Sequence, residues 1–128
     1  MGENVPDNLL YTPSHEWVKV EGNRLRVGVT DHAQAELTDV VFVELPKVGM
    51  SFEKGKVAGV LESVKTVADI YAPASGTVVE VNEALKEHPE FLNKDPYGQG
   101  WIYVLEVPQA PSDLLSGEKY KSLLASKS

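Results

Sequence analysis

Apolar and polar positions change register often along this chain, and Gly or Pro interrupts them before a long helix has room to form. Leu25, Val27 and Val29 alternate with Arg24, Arg26 and Gly28, the period of a half-buried strand. With Trp17–Val20 before it and Gly22-Asn23 between, the pattern predicts a tight-turned hairpin. The period then shifts. Thr30 suits a helix cap, Asp31 a first turn, and Ala33 and Leu37 share one face, which predicts a helix of about two turns ending at Leu37. Val40–Leu45 returns to strand and Pro46 ends it. Lys56–Leu61 reads as strand, Glu62–Lys65 as a turn, and Thr66–Ile70 as strand again. After Pro73 and Gly76, Thr77–Val81 is a β-branched strand. Asn82–Glu87 and Pro89–Leu92 suit short helical turns, and Asp95-Pro96-Tyr97-Gly98 is a turn by its residue types. Trp101–Val107 is the last strand. From Pro108 the pattern becomes helical, with Ser112 and Ser116 as caps and Leu114, Leu115, Leu123 and Leu124 as the apolar face.

No linker separates this tail from the rest. The reading is therefore one domain over residues 1–128, with a core at about 9–107 and a helical segment at about 112–125 packed on it. The fold expected is mainly β, with short peripheral helices and a C-terminal helix.

Composition narrows the chemistry. Hydrophobic residues make up 42% of the 128 and charged residues 24%, as in a folded globular chain. Cysteine is absent, which removes disulfides, thiolate metal sites and a cysteine nucleophile. Any redox-active thiol must then arrive on an attached group. The net charge of −7 disfavours nucleic acid as a partner. No apolar run approaches the ~18 residues of a membrane span. The N-terminal Met1-Gly2-Glu3-Asn4-Val5-Pro6-Asp7 lacks the basic start and apolar centre of a secretory signal, and Pro6 spoils a myristoylation pattern. A monomer in a bacterial-type cytoplasm is the expectation; a trimmed mitochondrial protein would read the same.

Catalytic patterns are missing. His15, His32 and His88 form no HExxH or other close metal-ligand spacing, and no GxSxG, GxxxxGK[ST] or GxGxxG run occurs. The 19 carboxylates are plentiful, but the sequence brings no two of them together. No catalytic residue and no metal site is assigned. Lys65 is different because of its surroundings. A lysine at a turn is ordinarily a solvated charge. This one sits between two β-type segments, flanked by Ser63 and Val64 before and Thr66 and Val67 after, with Glu62 three residues upstream and Asp69 four downstream. A protruding amine on a rigid hairpin is what a ligase needs for acylation, and an acyl cofactor there supplies chemistry the side chains lack.

The stretch Val60-Leu61-Glu62-Ser63-Val64-Lys65-Thr66-Val67-Ala68-Asp69-Ile70, running on to Gly76, resembles the lipoyl-attachment hairpin of the glycine cleavage H-protein family. Tyr11-Thr12-Pro13-Ser14-His15-Glu16-Trp17, Gly28–Gln34, Val41–Pro46, Glu80–Leu85 and Asn93–Gly98 are similar to further motifs of that family, in order, over about residues 9–124. Biotinyl domains typically place methionine on both sides of the modified lysine, whereas Val64 and Thr66 stand here.

The resemblance implies a barrel-sandwich hybrid of two antiparallel sheets and a non-catalytic carrier with lipoic acid in amide linkage to Lys65. It implies three client enzymes. A glycine decarboxylase (P protein) loads an aminomethyl group. A tetrahydrofolate-dependent aminomethyltransferase (T protein) takes the one-carbon unit. Dihydrolipoamide dehydrogenase (L protein) reoxidises the dithiol. A lipoate ligase or lipoyl/octanoyl transferase would read Glu62, Ser63, Val64 and Thr66, for which plain turn formation is the competing reading. Ser14, Glu16 and Asp69 match residues of a cleft that shelters the loaded arm, against the alternative of ordinary surface polarity. His32 is a weaker member of the same cleft. A lipoyl donor or relay serving other proteins is the alternative function.

Overall fold

The computed structural model describes residues 4–126; Met1–Glu3, part of the targeting reading above, and Lys127–Ser128 lie outside the described residues. Among the described residues, nine strands form two antiparallel sheets. The strands are β1 (Leu10–Tyr11), β2 (Glu16–Glu21), β3 (Arg24–Val29), β4 (Val40–Glu44), β5 (Ser51–Phe52), β6 (Val57–Ser63), β7 (Val67–Tyr71), β8 (Gly76–Val81) and β9 (Tyr103–Glu106). One sheet runs β1-β2-β3-β9-β8-β5 and the other β4-β6-β7. This is the expected mainly β barrel-sandwich hybrid.

The β2–β3 hairpin forms where the alternation placed it. Glu21 pairs with Arg24 around Gly22-Asn23, and Gly22 takes φ 65°, a conformation that costs a glycine little. Leu25, Val27 and Val29 are buried in a cluster that also takes Val43, Leu61 and Ile70 from the smaller sheet. Gly28 lies on the other face, where the Trp17 indole covers it. Helix α1 (Asp31–Leu37) begins as expected, with the Ala33 amide donating to Thr30 Oγ1 at 3.3 Å. Single-turn helices α2 (Ala84–Glu87) and α3 (Phe91–Lys94) bury Leu85 and Leu92.

Three boundaries differ from the sequence reading. Glu62 and Ser63 belong to β6, because Glu62 still pairs with Val67; the tip is only Val64–Thr66. Strand β9 is shorter than Trp101–Val107, although Ile102 and Val107 each add a hydrogen bond to the β3 side, at Val27 and Asn23. The C-terminal helix α4 starts at Gly117, not near residue 112. Leu115 instead makes an antiparallel bridge with Tyr11, with reciprocal N–H···O bonds of 2.7 and 2.8 Å. Ser116 does act as a cap, accepting from the Lys119 amide at 3.2 Å, whereas Ser112 lies ahead of the helix. Tyr120, rather than the leucines alone, anchors α4, at the centre of a second apolar cluster with Tyr11 and Trp17. Among the described residues no helix is long and apolar enough to cross a membrane.

Candidate functional site

The β6–β7 hairpin ends in a tip organised by one side chain. Ser63 Oγ accepts from the amides of Lys65 (3.1 Å) and Thr66 (3.0 Å), while Ser63 N–H donates to Thr66 C=O at 2.8 Å. The Val64 amide donates to Asp39 C=O at 3.1 Å, which ties the tip to the segment after α1. These bonds satisfy backbone groups that a bare turn would leave to water. Lys65 is exposed, and its neighbour Val64 is 70% exposed, so the tip projects. Lys65 Nζ donates to the Glu36 carbonyl in the last turn of α1 at 3.2 Å, where the helix dipole favours a cation.

Beside the tip opens a cavity of about 220 Å³. Thr66 lines it directly next to Lys65. Its apolar walls include Ala33 and Leu37 of α1, Val29 of β3 and Ile70 of β7. Ser14, Glu16 and Asp69, taken from two distant parts of the sequence, all face this one space. His32 does not line it. Its ring lies 4.6 Å from that of His15 and its Nε2 sits 3.4 Å from Glu36 Oε1, and both of those partners do line the cavity. Glu62, Ser63 and Val64 lie outside the cavity, on the hairpin itself.

Glu16 is not a surface charge. It is 1% exposed. Its Oε1 accepts from Ser14 Oγ at 2.6 Å and from the Thr12 hydroxyl, and its Oε2 accepts from the Tyr71 amide of β7 at 3.1 Å. Burial pushes this carboxyl above the ordinary range, and the bonds from Ser14, Thr12 and Tyr71 only partly offset it. Among the described residues the buried Tyr103 hydroxyl has no hydrogen-bond partner, and its phenol is pushed up by burial and by Glu16. Asp69 is exposed. The pocket thus joins an apolar wall to a polar end containing one desolvated carboxyl. Such a site suits a ligand with an apolar body and a polar, hydrogen-bonding end. Among the described residues no group of three or more His, Asp or Glu side chains is placed to hold a metal ion.

Residues 9–127 match the family model for the glycine cleavage H-protein. The chain belongs to the glycine cleavage H-protein family. Curated relatives carry the name glycine cleavage system H protein: one from Herpetosiphon aurantiacus is 55% identical over 118 residues, covering 92% of each chain. One from Geobacillus kaustophilus is 50% identical over 123 residues, covering 94% of this chain and 97% of the relative. The crystal structure of a glycine cleavage system H protein from Mycobacterium marinum superposes with a TM-score of 0.87 at 41% identity, over 94% of this chain and 99% of that one. The matched span contains Lys65 and all of Ser14, Glu16 and Asp69.

Sequence reasoning missed three contributors. Thr12 supports Glu16 through its hydroxyl; its place two residues before Ser14 and four before Glu16 was a visible but weak signal. His15 lines the pocket with its backbone at φ 73°, which no residue pattern announced. The Glu36 carbonyl that receives Lys65 is a backbone group and leaves no mark in the sequence.

Proposed function

We propose that this chain is the non-catalytic, lipoyl-bearing shuttle of glycine cleavage, with lipoic acid in amide linkage to Lys65. The observation that carries the reading is an exposed lysine on a braced hairpin tip, immediately beside a pocket with apolar walls and a buried carboxyl. The residues fit such a group. Val29, Leu37 and Ile70 suit its hydrocarbon chain and sulfur ring, and Ser14, Glu16 and Asp69 suit an amine carried at its end. When attached, it supplies a redox-active dithiol that a chain without cysteine lacks.

Each residue then has a role of its own. Lys65 provides the amine for attachment. Ser63 holds the tip in the shape a lipoate ligase or lipoyl/octanoyl transferase would meet, and Glu62, Val64 and Thr66 are the exposed groups around it. Glu16 and Asp69 attract a protonated amine, and Ser14 orients Glu16. Closing an apolar pocket over the amine keeps water from it. His32 supports Glu36 at the pocket's edge rather than facing the arm. The clients are the glycine decarboxylase, which supplies aminomethyl cargo, the tetrahydrofolate-dependent aminomethyltransferase, which takes it, and dihydrolipoamide dehydrogenase.

The first test is intact mass after incubation with lipoate, ATP and a lipoate ligase. A gain of one lipoyl group, lost in Lys65→Arg, is expected; an unchanged mass, or modification surviving Lys65→Arg, refutes the attachment site. The second is exchange of the glycine carboxyl carbon with bicarbonate, using the lipoylated chain and the decarboxylase. Exchange supports the glycine shuttle. A modified chain without exchange sinks the glycine shuttle and leaves the relay function alive.

A further inference from the structure

The pocket's two walls come from different elements. One is the Ser14–Glu16 segment leading into β2, and the other is α1 with Ala33, Glu36 and Leu37. The walls touch directly where the Thr30 amide donates to the His15 carbonyl and where the His15 and His32 rings lie 4.6 Å apart. A further link lies behind the pocket, at a residue of the C-terminal helix that no sequence motif singled out.

We propose that Tyr120 is a positioning residue for the pocket: its single hydroxyl joins the two walls from outside. The proposal rests on reading the pocket as the arm's shelter. Tyr120 is fully buried and its ring stacks on Tyr11, with centroids 4.7 Å apart and planes 9° from parallel. Its hydroxyl lies 2.7 Å from His15 Nδ1 and 2.8 Å from Thr30 Oγ1. His15 stands between Ser14 and Glu16, in the left-handed region at φ 73°, where a non-glycine residue needs outside support. Part of that support is backbone: His15 N–H donates to Thr12 C=O, and Thr30 N–H donates to His15 C=O, both at 3.1 Å. Tyr120 adds a hydrogen bond to the side chain. Thr30 is the cap of α1, so the same phenol also fixes where that helix begins.

Ala33 N–H donates to Thr30 Oγ1. Either hydroxyl of the Thr30–Tyr120 pair can donate; with Thr30 donating, Tyr120 gives its own proton to His15 Nδ1, which goes with the His15 tautomer protonated on Nε2. The ring of His32, 4.6 Å away, flanks the same imidazole.

The test begins with the unmodified protein. Tyr120→Phe keeps the stacked ring and removes only the hydroxyl. In the wild type, the ¹⁵N spectrum of the His15 ring is expected to show an unprotonated Nδ1 and one tautomer. In Tyr120→Phe it should become a tautomer mixture, and amide exchange over residues 31–37 should quicken about fivefold, the factor that one hydrogen bond of ordinary net strength commands. Exchange in α2 and α3 should hold steady. Tyr11→Phe is the control. It removes the other phenol of the stacked pair, which donates to Pro6 C=O at 2.5 Å, and should leave His15 and α1 unchanged. The inference is overturned if Tyr120→Phe leaves His15 and α1 as they were, if exchange rises equally everywhere, or if Tyr11→Phe has the same effect. On the lipoylated protein, Tyr120→Phe should shorten the lifetime of the aminomethyl cargo about fivefold, by the same reasoning. Glu16→Gln separates the two ideas there. If Glu16→Gln shortens the lifetime and Tyr120→Phe does not, the positioning role falls and the shelter stands. If neither shortens it, the shelter reading itself falls.

Discussion

Single side chains decide most of the site's chemistry, and Glu16 shows how. A carboxyl loses favourable hydration when buried, so its charged form is disfavoured unless bonds replace the water. Here Ser14, Thr12 and the Tyr71 amide replace some of it, and burial still wins. The folded protein therefore holds this proton at a pH where the unfolded chain has lost it. Below the ordinary glutamate value of about 4.3 both states are protonated and the difference vanishes. Above that value, up to the raised folded pKa, stability falls as pH rises. Glu16→Gln keeps a neutral group throughout, so the urea midpoint of the wild type relative to this variant should decline as pH rises from about 4 through that window. A flat difference across pH 4–8 would show that Glu16 ionises normally. The burial itself was not legible in the sequence. A glutamate at the start of a strand reads as solvated, and the amide that closes over it comes from Tyr71, 55 residues away. Ser14 and Asp69 were likewise reachable only through family resemblance. Lys65 was more legible because its hairpin is local. At its tip, Ser63→Ala removes the acceptor for two amides, and the rate of lipoate transfer to Lys65 should fall about fivefold in a mass-spectrometric time course while the fold is kept.

Elements were readable in proportion to their length. The β2–β3 hairpin and α1 carry enough periodic residues, plus a turn or a cap, to declare themselves. The two-residue strands β1 and β5 carry no period at all and were missed. The residues just ahead of α4 were misread for a different reason: Leu114 and Leu115 have helical spacing relative to the leucines further on, but the bridge from Leu115 to Tyr11 holds that segment extended. The alternation in β3 also hid something. Gly28 falls on the phase that suggests a polar, solvent-facing position, yet the face is covered by Trp17, whose Nε1 donates to Pro96 C=O at 2.9 Å. A Cβ at residue 28 would sit 2.5–2.7 Å from three indole atoms. Gly28→Ala must displace a buried ring with a fixed hydrogen bond, so it should destabilise by about 1–3 kcal/mol in urea unfolding. A cost within the few tenths of a kcal/mol typical of exposed strand positions would mean that Trp17 yields freely.

For the whole molecule, the end of the larger sheet around Trp17 is covered on both faces. Val18 and Trp17 are consecutive residues of β2, so they point opposite ways. Val18 joins the cluster shared with the smaller sheet, while Trp17 joins Val5, Leu9, Tyr11 and Tyr120 in the second cluster. Helix α4 is thus part of the fold's second apolar layer rather than an appendage, and Tyr120 is its fully buried anchor, with Leu123 and Leu124 packed beside it. Deleting the Tyr120 ring should cost what truncating a buried aromatic usually costs. Tyr120→Ala is expected to lose about 3–5 kcal/mol, through lost transfer energy and the cavity left against Tyr11. For a chain between the small and medium size classes this corresponds to a fall in Tm of roughly 10–20 °C. Tyr120→Phe preserves the stacking and fills the same space, so its fall should be a few degrees at most, the share of the hydroxyl alone. Thermal unfolding of the two variants side by side separates packing from hydrogen bonding at one position. Equal losses would mean that the hydroxyl, not the ring, holds α4 in place, and the second cluster would then be a weak layer despite its burial.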